Sequence, residues 1–209
     1  DKKYYSEYQK IKAFRNELLQ NSDTVEITDF GAESRVFKSN TRKISSIAKN
    51  AGISFKRQKL LFRITNYFKS KTVLELGTFL GLGTASMAFV NDSNKITAVE
   101  GCKNTAKVSE AIFNKYHLST IQLQNAPFEY FFNKNLSDSY DLVYIDGNHN
   151  KKNTLQYFEY LLNRINNDSL LIFNHIYWDV DMTEAWNQIK EHPKVPVSID
   201  SFYWVIVFF

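Results

Sequence analysis

Cysteine is nearly absent from these 209 residues, with Cys102 standing alone. A single thiol cannot close an intrachain disulfide, which excludes a stapled scaffold and makes a reducing compartment, the cytoplasm, the expected address. No run of about eighteen apolar residues occurs, so neither a membrane-spanning helix nor a membrane partner is expected. Proline is confined to Pro127, Pro193 and Pro196, and glycine to seven positions, three of them crowded into residues 72–84. The net charge is only +4, but it is unevenly spread. Residues 1–71 carry 16 Lys/Arg against 7 Asp/Glu, while residues 72–209 carry 10 against 15. A basic front half suits either an acidic polymer or a solvated face packed on an acidic domain, and the second is the reading favoured here.

What is present organises itself around TVLELGTFLGLGT at residues 72–84. Val73-Leu74-Glu75-Leu76 reads as a buried strand, and Gly77, Gly81 and Gly83 follow before a helix-compatible run. Glycine tolerates positive φ and lets backbone approach a ligand closely, so the turn is expected to carry one. Glu75 is a carboxylate where an apolar strand needs none.

Ahead of this turn, Tyr8, Ile11, Phe14 and Leu18 fall at helical spacing, with Arg15 the one charged residue in phase with them. Val25 and Ile27 lie in an extended stretch, followed by a loop at residues 29–32. A glycine corner near Gly52 joins two helical patterns in basic surroundings, a weak helix-turn-helix signal. The next helix places Leu60, Leu61, Ile64, Tyr67 and Phe68 on one face. Residues 1–53 are therefore read as a helical extension, a lid or simply packing, and 54–209 as the main domain.

From residue 72 onward, strands near 72–76, 95–100, 119–124, 140–145 and 169–173 alternate with helices, the pattern of a parallel sheet wrapped on both faces. Pro193 and Pro196 flank a weak strand, and residues 202–209 are almost continuously apolar. The first reads as an edge strand and the second as its inserted antiparallel partner.

Open α/β sheets bind ligands at the carboxyl ends of their strands. Glu100 ends the second strand, about twenty residues past the glycine turn, where a carboxylate can accept both hydroxyls of a ribose. Asp146 ends the fourth strand, behind Leu142-Val143-Tyr144-Ile145, and is the leading catalytic candidate. His149 follows it, with a reference pKa near 6.5 suited to taking a proton. The fifth strand delivers Asn174-His175 to the same edge. Tyr177, Trp178 and Trp186 come next and could wall an acceptor ring.

Glu75-Leu76-Gly77 with Gly81 and Gly83 resembles motif I of the class I S-adenosylmethionine-dependent methyltransferases, and the resemblance extends from about residue 54 to the end. It implies a Rossmann-like α/β fold with a mostly parallel seven-stranded sheet closed by a C-terminal antiparallel hairpin. It also implies S-adenosylmethionine as cofactor, bound by Glu75, Gly77, Thr78, Gly81, Gly83, Glu100, Gly101 and Asp146, with Asn125 and Ala126 at the adenine. Asp146 together with the residues after strand five is similar to the catechol and caffeoyl-coenzyme A type of O-methyltransferase, in which a divalent ion is held there. Here Asn174 stands where that family has its second aspartate and His175 where it has asparagine. Two alternatives stay open: an ion held by Asp146, Asn174 and His175, or a metal-free site in which His149 or His175 is the base. No Asn/Asp-Pro-Pro-Tyr/Phe sequence of the nitrogen-methylating kind occurs, which tilts the acceptor toward the hydroxyl of a small molecule. The rivals are a nucleic-acid-binding protein or nucleic-acid methyltransferase using the basic front segment, and a non-catalytic cofactor-binding module. A homodimer is left open.

Overall fold

The computed structural model describes residues 3–28, 39–134 and 138–209; the loop expected at 29–32 lies outside them. The chain begins with α1 (Glu7–Gln20), a two-stranded antiparallel ribbon of β1 (Thr24–Glu26) and β2 (Thr41–Lys43), α2 (Ile44–Asn50) and α3 (Phe55–Tyr67). The alternating region follows as β3 (Thr72–Leu76), α4 (Leu82–Ala88), β4 (Lys95–Glu100), α5 (Lys103–Lys115), β5 (Ile121–Asn125) and α6 (Phe128–Lys134). It continues through β6 (Leu142–Ile145), α7 (Lys151–Leu161), β7 (Leu170–Asn174), α8 (Val180–Lys190), β8 (Val197–Asp200) and β9 (Trp204–Phe208).

The main sheet has seven strands in the order β5-β4-β3-β6-β7-β9-β8. β9 lies antiparallel between β7 and β8. Its Trp204, Val205 and Val207 are buried, whereas β8, just after Pro196, is exposed along its whole length. The hairpin is thus inserted as its composition predicts: the apolar strand takes the inner place and the strand flanked by proline takes the border.

Alternate residues of the strands feed two cores, because side chains on a strand point to opposite faces in turn. Val73, Leu142, Tyr144, Leu170 and Ile172 face one core with α1 to α5. Leu74, Leu76, Val143, Ile145, Leu171 and Phe173 face the other with α6 to α8. Phe14, Leu18, Val25, Ile27, Ile44, Ile47 and Ile53 belong to the first core, so the front 53 residues share their hydrophobic packing with the sheet. Arg15, the in-phase charge of α1, reaches across to donate to the carbonyl of Ile53 at 2.5 Å. The apolar face of α3 is shorter than its pattern suggests: Leu61, Phe62 and Ile64 are buried, but Tyr67 is 78% exposed. That helix packs on α4 and α1.

Register decides what meets at the carboxyl edge. Leu76 pairs with Ile145, and Ile145 with Phe173. Gly77, Asp146 and Asn174 therefore emerge side by side at the point where the chain leaves β3 for opposite sides of the sheet, the switch point at which such folds bind ligands.

Candidate active site

The turn after β3 is pinned to its neighbours by backbone bonds. Gly77 and Thr78 both donate to the carbonyl of Val99, and Asp146 N–H donates to the carbonyl of Leu76. Gly77 and Gly81 hold φ of +95° and +76°. Their missing side chains are matched by protein as well: a Cβ on Gly77 would come within 2.3 Å of the Asp146 carbonyl oxygen, one on Gly81 within 2.4 Å of the Phe113 ring, and one on Gly83 within 2.4 Å of Glu75 Oε1. These glycines let strand ends, a ring and a carboxylate close on one another, a role the sequence reading had given to a ligand.

A cavity of about 410 Å³ opens at this edge, a size ordinary for small-ligand sites. Of the expected cofactor residues, Glu75, Gly77, Thr78, Gly83, Glu100, Gly101 and Asp146 line it. Three others do not line it. Gly81 is off the wall, tucked against Phe113. Asn125 and Ala126 are also off it, because the Asn125 amide is spent on the carbonyls of Glu100 and Gly101; Pro127, Phe128 and Glu129 form the wall in their place.

The donor half is acidic. Glu100 accepts from Phe79 N–H at 2.7 Å and Cys102 N–H at 2.8 Å, which fixes its carboxylate across the turn. Glu75 is 1% exposed and accepts from the Thr84 hydroxyl. Burial pushes its carboxyl well above the usual range against the Thr84 bond, and the negative Asp146 and Glu100 push it the same way. The carboxyl groups of Glu75, Glu100, Glu129 and Asp146 line the cavity, a wall that favours a cationic ligand, and Glu100 at the end of β4 suits a ribose, so the donor set fits S-adenosylmethionine.

The other half is built on Asp146. Asn174 Nδ2 donates to its Oδ1 at 2.7 Å and the Tyr144 hydroxyl donates to its Oδ2 at 3.0 Å. His175 Nδ1 lies 3.3 Å and His149 Nε2 3.9 Å from the same Oδ1. Burial raises the Asp146 carboxyl, but the His175 ring, His149 and the Asn174 amide outweigh it and hold the group below its ordinary value. The two imidazoles meet edge to face at 4.7 Å, and Trp178 stacks on His149 at 5.9 Å. Of the expected aromatic wall only Trp178 lines the cavity; Trp186 is core, and Tyr177 packs on Phe202 at the surface.

Asp146, His149 and His175 bring one ligand atom each to within 4.8 Å of one another. Asn174 of the expected set Asp146, Asn174 and His175 turns its NH2 to Asp146 and orients that carboxylate, with its own Oδ1 buried beside it, and His149 joins the cluster. One carboxylate with two imidazoles does not fit the oxygen-rich shell of magnesium or calcium.

Several wall residues escaped the sequence reading. Tyr144 shares a strand face with Asp146, two residues on, and that period was a usable signal. Ile27, Arg42, the corner at residues 50–53 and Arg57 reach the cavity from the front segment, and no local pattern announces them.

Residues 74–176 match the family model described as a methyltransferase domain. Over those residues the chain is similar to a methyltransferase domain. Structures similar to this chain include Rv0187 from MTB, solved cofactor-bound, with TM-score 0.71, 14% identity and coverage of 95% of this chain and 89% of that one. The SAH-bound Podospora anserina methyltransferase PaMTH1 gives 0.68, 15%, and 100% and 98%. An O-methyltransferase from Bacillus cereus in complex with SAH gives 0.65, 14%, and 100% and 93%. At such identities the likeness of the chain to these structures is one of fold. We find no curated protein whose sequence matches the chain.

Proposed function

We propose that the protein transfers the methyl group of S-adenosylmethionine to a hydroxyl oxygen of a small molecule. The observation that carries this is continuity: the acidic donor half at Glu75 and Glu100 and the cluster at Asp146, His149 and His175 line one cavity. S-adenosylmethionine supplies a methyl already activated on a sulfonium, whose carbon–sulfur bond breaks as the carbon–oxygen bond forms. The protein's share is alignment and proton removal. Glu100 accepts the ribose hydroxyls, the turn from Gly77 to Thr78 and Gly101 supports the nucleoside, Glu75 offers a buried carboxyl group beside it, and Asp146 lends negative potential to the cationic end. The acceptor oxygen sits against Asp146, His149 and His175, which ease the loss of its proton; Trp178 flanks the place where its carbon frame would lie.

Calorimetry tests the cofactor step. S-adenosylmethionine and its demethylated product should each bind one per chain, and Glu100→Ala should weaken both at least about 10-fold through the lost ribose bonds. Absence of binding to the unmodified protein would sink the reading. The nucleic-acid alternative rests on the basic front segment; its mark is affinity for DNA or RNA that falls steeply with salt.

A further inference from the structure

We propose that Asp146, His149 and His175 form a three-ligand site for a divalent first-row transition-metal ion such as zinc or cobalt, with magnesium disfavoured. Two imidazoles converge on one carboxylate oxygen, His175 Nδ1 at 3.3 Å and His149 Nε2 at 3.9 Å. That oxygen already receives the Asn174 amide at 2.7 Å. His175 Nδ1 is buried with no hydrogen-bond partner, and a shared cation satisfies such an imidazole lone pair.

Spacing agrees. Ligands about 2.1 Å from one tetrahedral ion stand roughly 3.4 Å apart, and the 3.3 and 3.9 Å separations need little adjustment. The third falls within 4.8 Å and closes by small side-chain rotations. One carboxylate and two imidazoles select zinc, iron, cobalt or nickel over magnesium, and three protein ligands leave positions for an acceptor oxygen.

The surroundings hold the ligands in place. Asn174 and Tyr144 orient the carboxylate from both sides, as partners of metal-ligating carboxylates do. Trp178 packs against both imidazoles. Asn148, His149 and His175 all hold positive φ, at 70°, 39° and 57°. Left-handed backbone is costly for residues other than glycine and gathers at functional sites; at His149 and His175 it aims two rings at one point.

The site is testable without any acceptor. The full chain, stripped with chelator and titrated with Co2+, should develop visible ligand-field absorption and take up one ion per chain. Competition should rank Zn2+ and Co2+ at least about 100-fold above Mg2+. His149→Ala and His175→Ala should each lower Co2+ affinity at least about 10-fold, with folding checked by circular dichroism. Should those variants fail to fold, the competition series on the unmodified protein decides alone. No uptake, equal affinity for Mg2+, or His variants that bind Co2+ unchanged would overturn the proposal. S-adenosylhomocysteine binding is measured on the same samples. Cofactor binding together with no ion uptake refutes this site and leaves the methyl-transfer reading, and ion uptake together with no cofactor binding does the reverse.

Discussion

Glu75 is a buried carboxylate whose burial raises its pKa, so the folded state holds its proton more tightly than the unfolded chain does. A raised carboxyl costs stability once pH climbs above the ordinary carboxylate range, because folding must then bury a charge or bind a proton. Glu75→Gln keeps an oxygen for the Thr84 hydroxyl and removes that cost. The cofactor-free protein should gain about 1 kcal/mol, a rise in Tm of roughly 2–4 °C for a chain of this size. The gain should shrink toward pH 4, and S-adenosylmethionine affinity should fall; melts across pH and calorimetry read the two. Gly77→Ala acts differently, since its φ of +95° and the Asp146 carbonyl 2.3 Å from the added carbon leave no room. A loss of about 2–4 kcal/mol in urea unfolding is expected. At this scale Glu75, Glu100, Asp146 and the two histidines were legible as chemistry out of place on strand ends. The partner of each was not, since Trp178 over His149 and Asn174 on Asp146 depend on backbone paths that one sequence does not declare.

Strands and helices from residue 72 onward were legible nearly to their boundaries, because alternating patterns and glycine turns act locally. The ribbon of β1 and β2 was not paired in advance: its strands have three residues each and are separated in sequence by residues 27–40. One feature of the sheet is set by charge. Asp141 Oδ2 accepts from the N–H groups of Lys71 and Thr72, at 2.8 and 2.9 Å, and ties the starts of β3 and β6 together. Burial raises this carboxyl, but those bonds outweigh it and its pKa is lowered. Its stabilisation is therefore present above the ordinary carboxylate range and lost as pH falls through the depressed folded value. Asp141→Asn should cost roughly 1 kcal/mol at pH 7, discounted for solvent. The difference from the unmodified protein should vanish near pH 2, as denaturant midpoints across that range will show.

For the whole molecule, the sequence divides at residue 53, while the packing joins the two sides. Phe14, Leu18, Ile44, Ile47 and Ile53 share one core with Val73, Leu82 and Tyr144. Thermal unfolding followed by far- and near-ultraviolet circular dichroism should therefore show coincident transitions. An early transition confined to α1 and α2 would contradict this. The shared core also brings Arg42 and Arg57 of the basic front segment to a cavity lined by Glu75, Glu100, Glu129 and Asp146, which no composition count could foresee. The central claim is that this cavity seats the cofactor with its sulfur toward Asp146, His149 and His175. A crystal structure of the complex with S-adenosylhomocysteine tests it most directly. The account predicts ribose hydroxyls on Glu100 and the sulfur facing that cluster; a ligand bound elsewhere, or a sulfur turned away from Asp146, would contradict it.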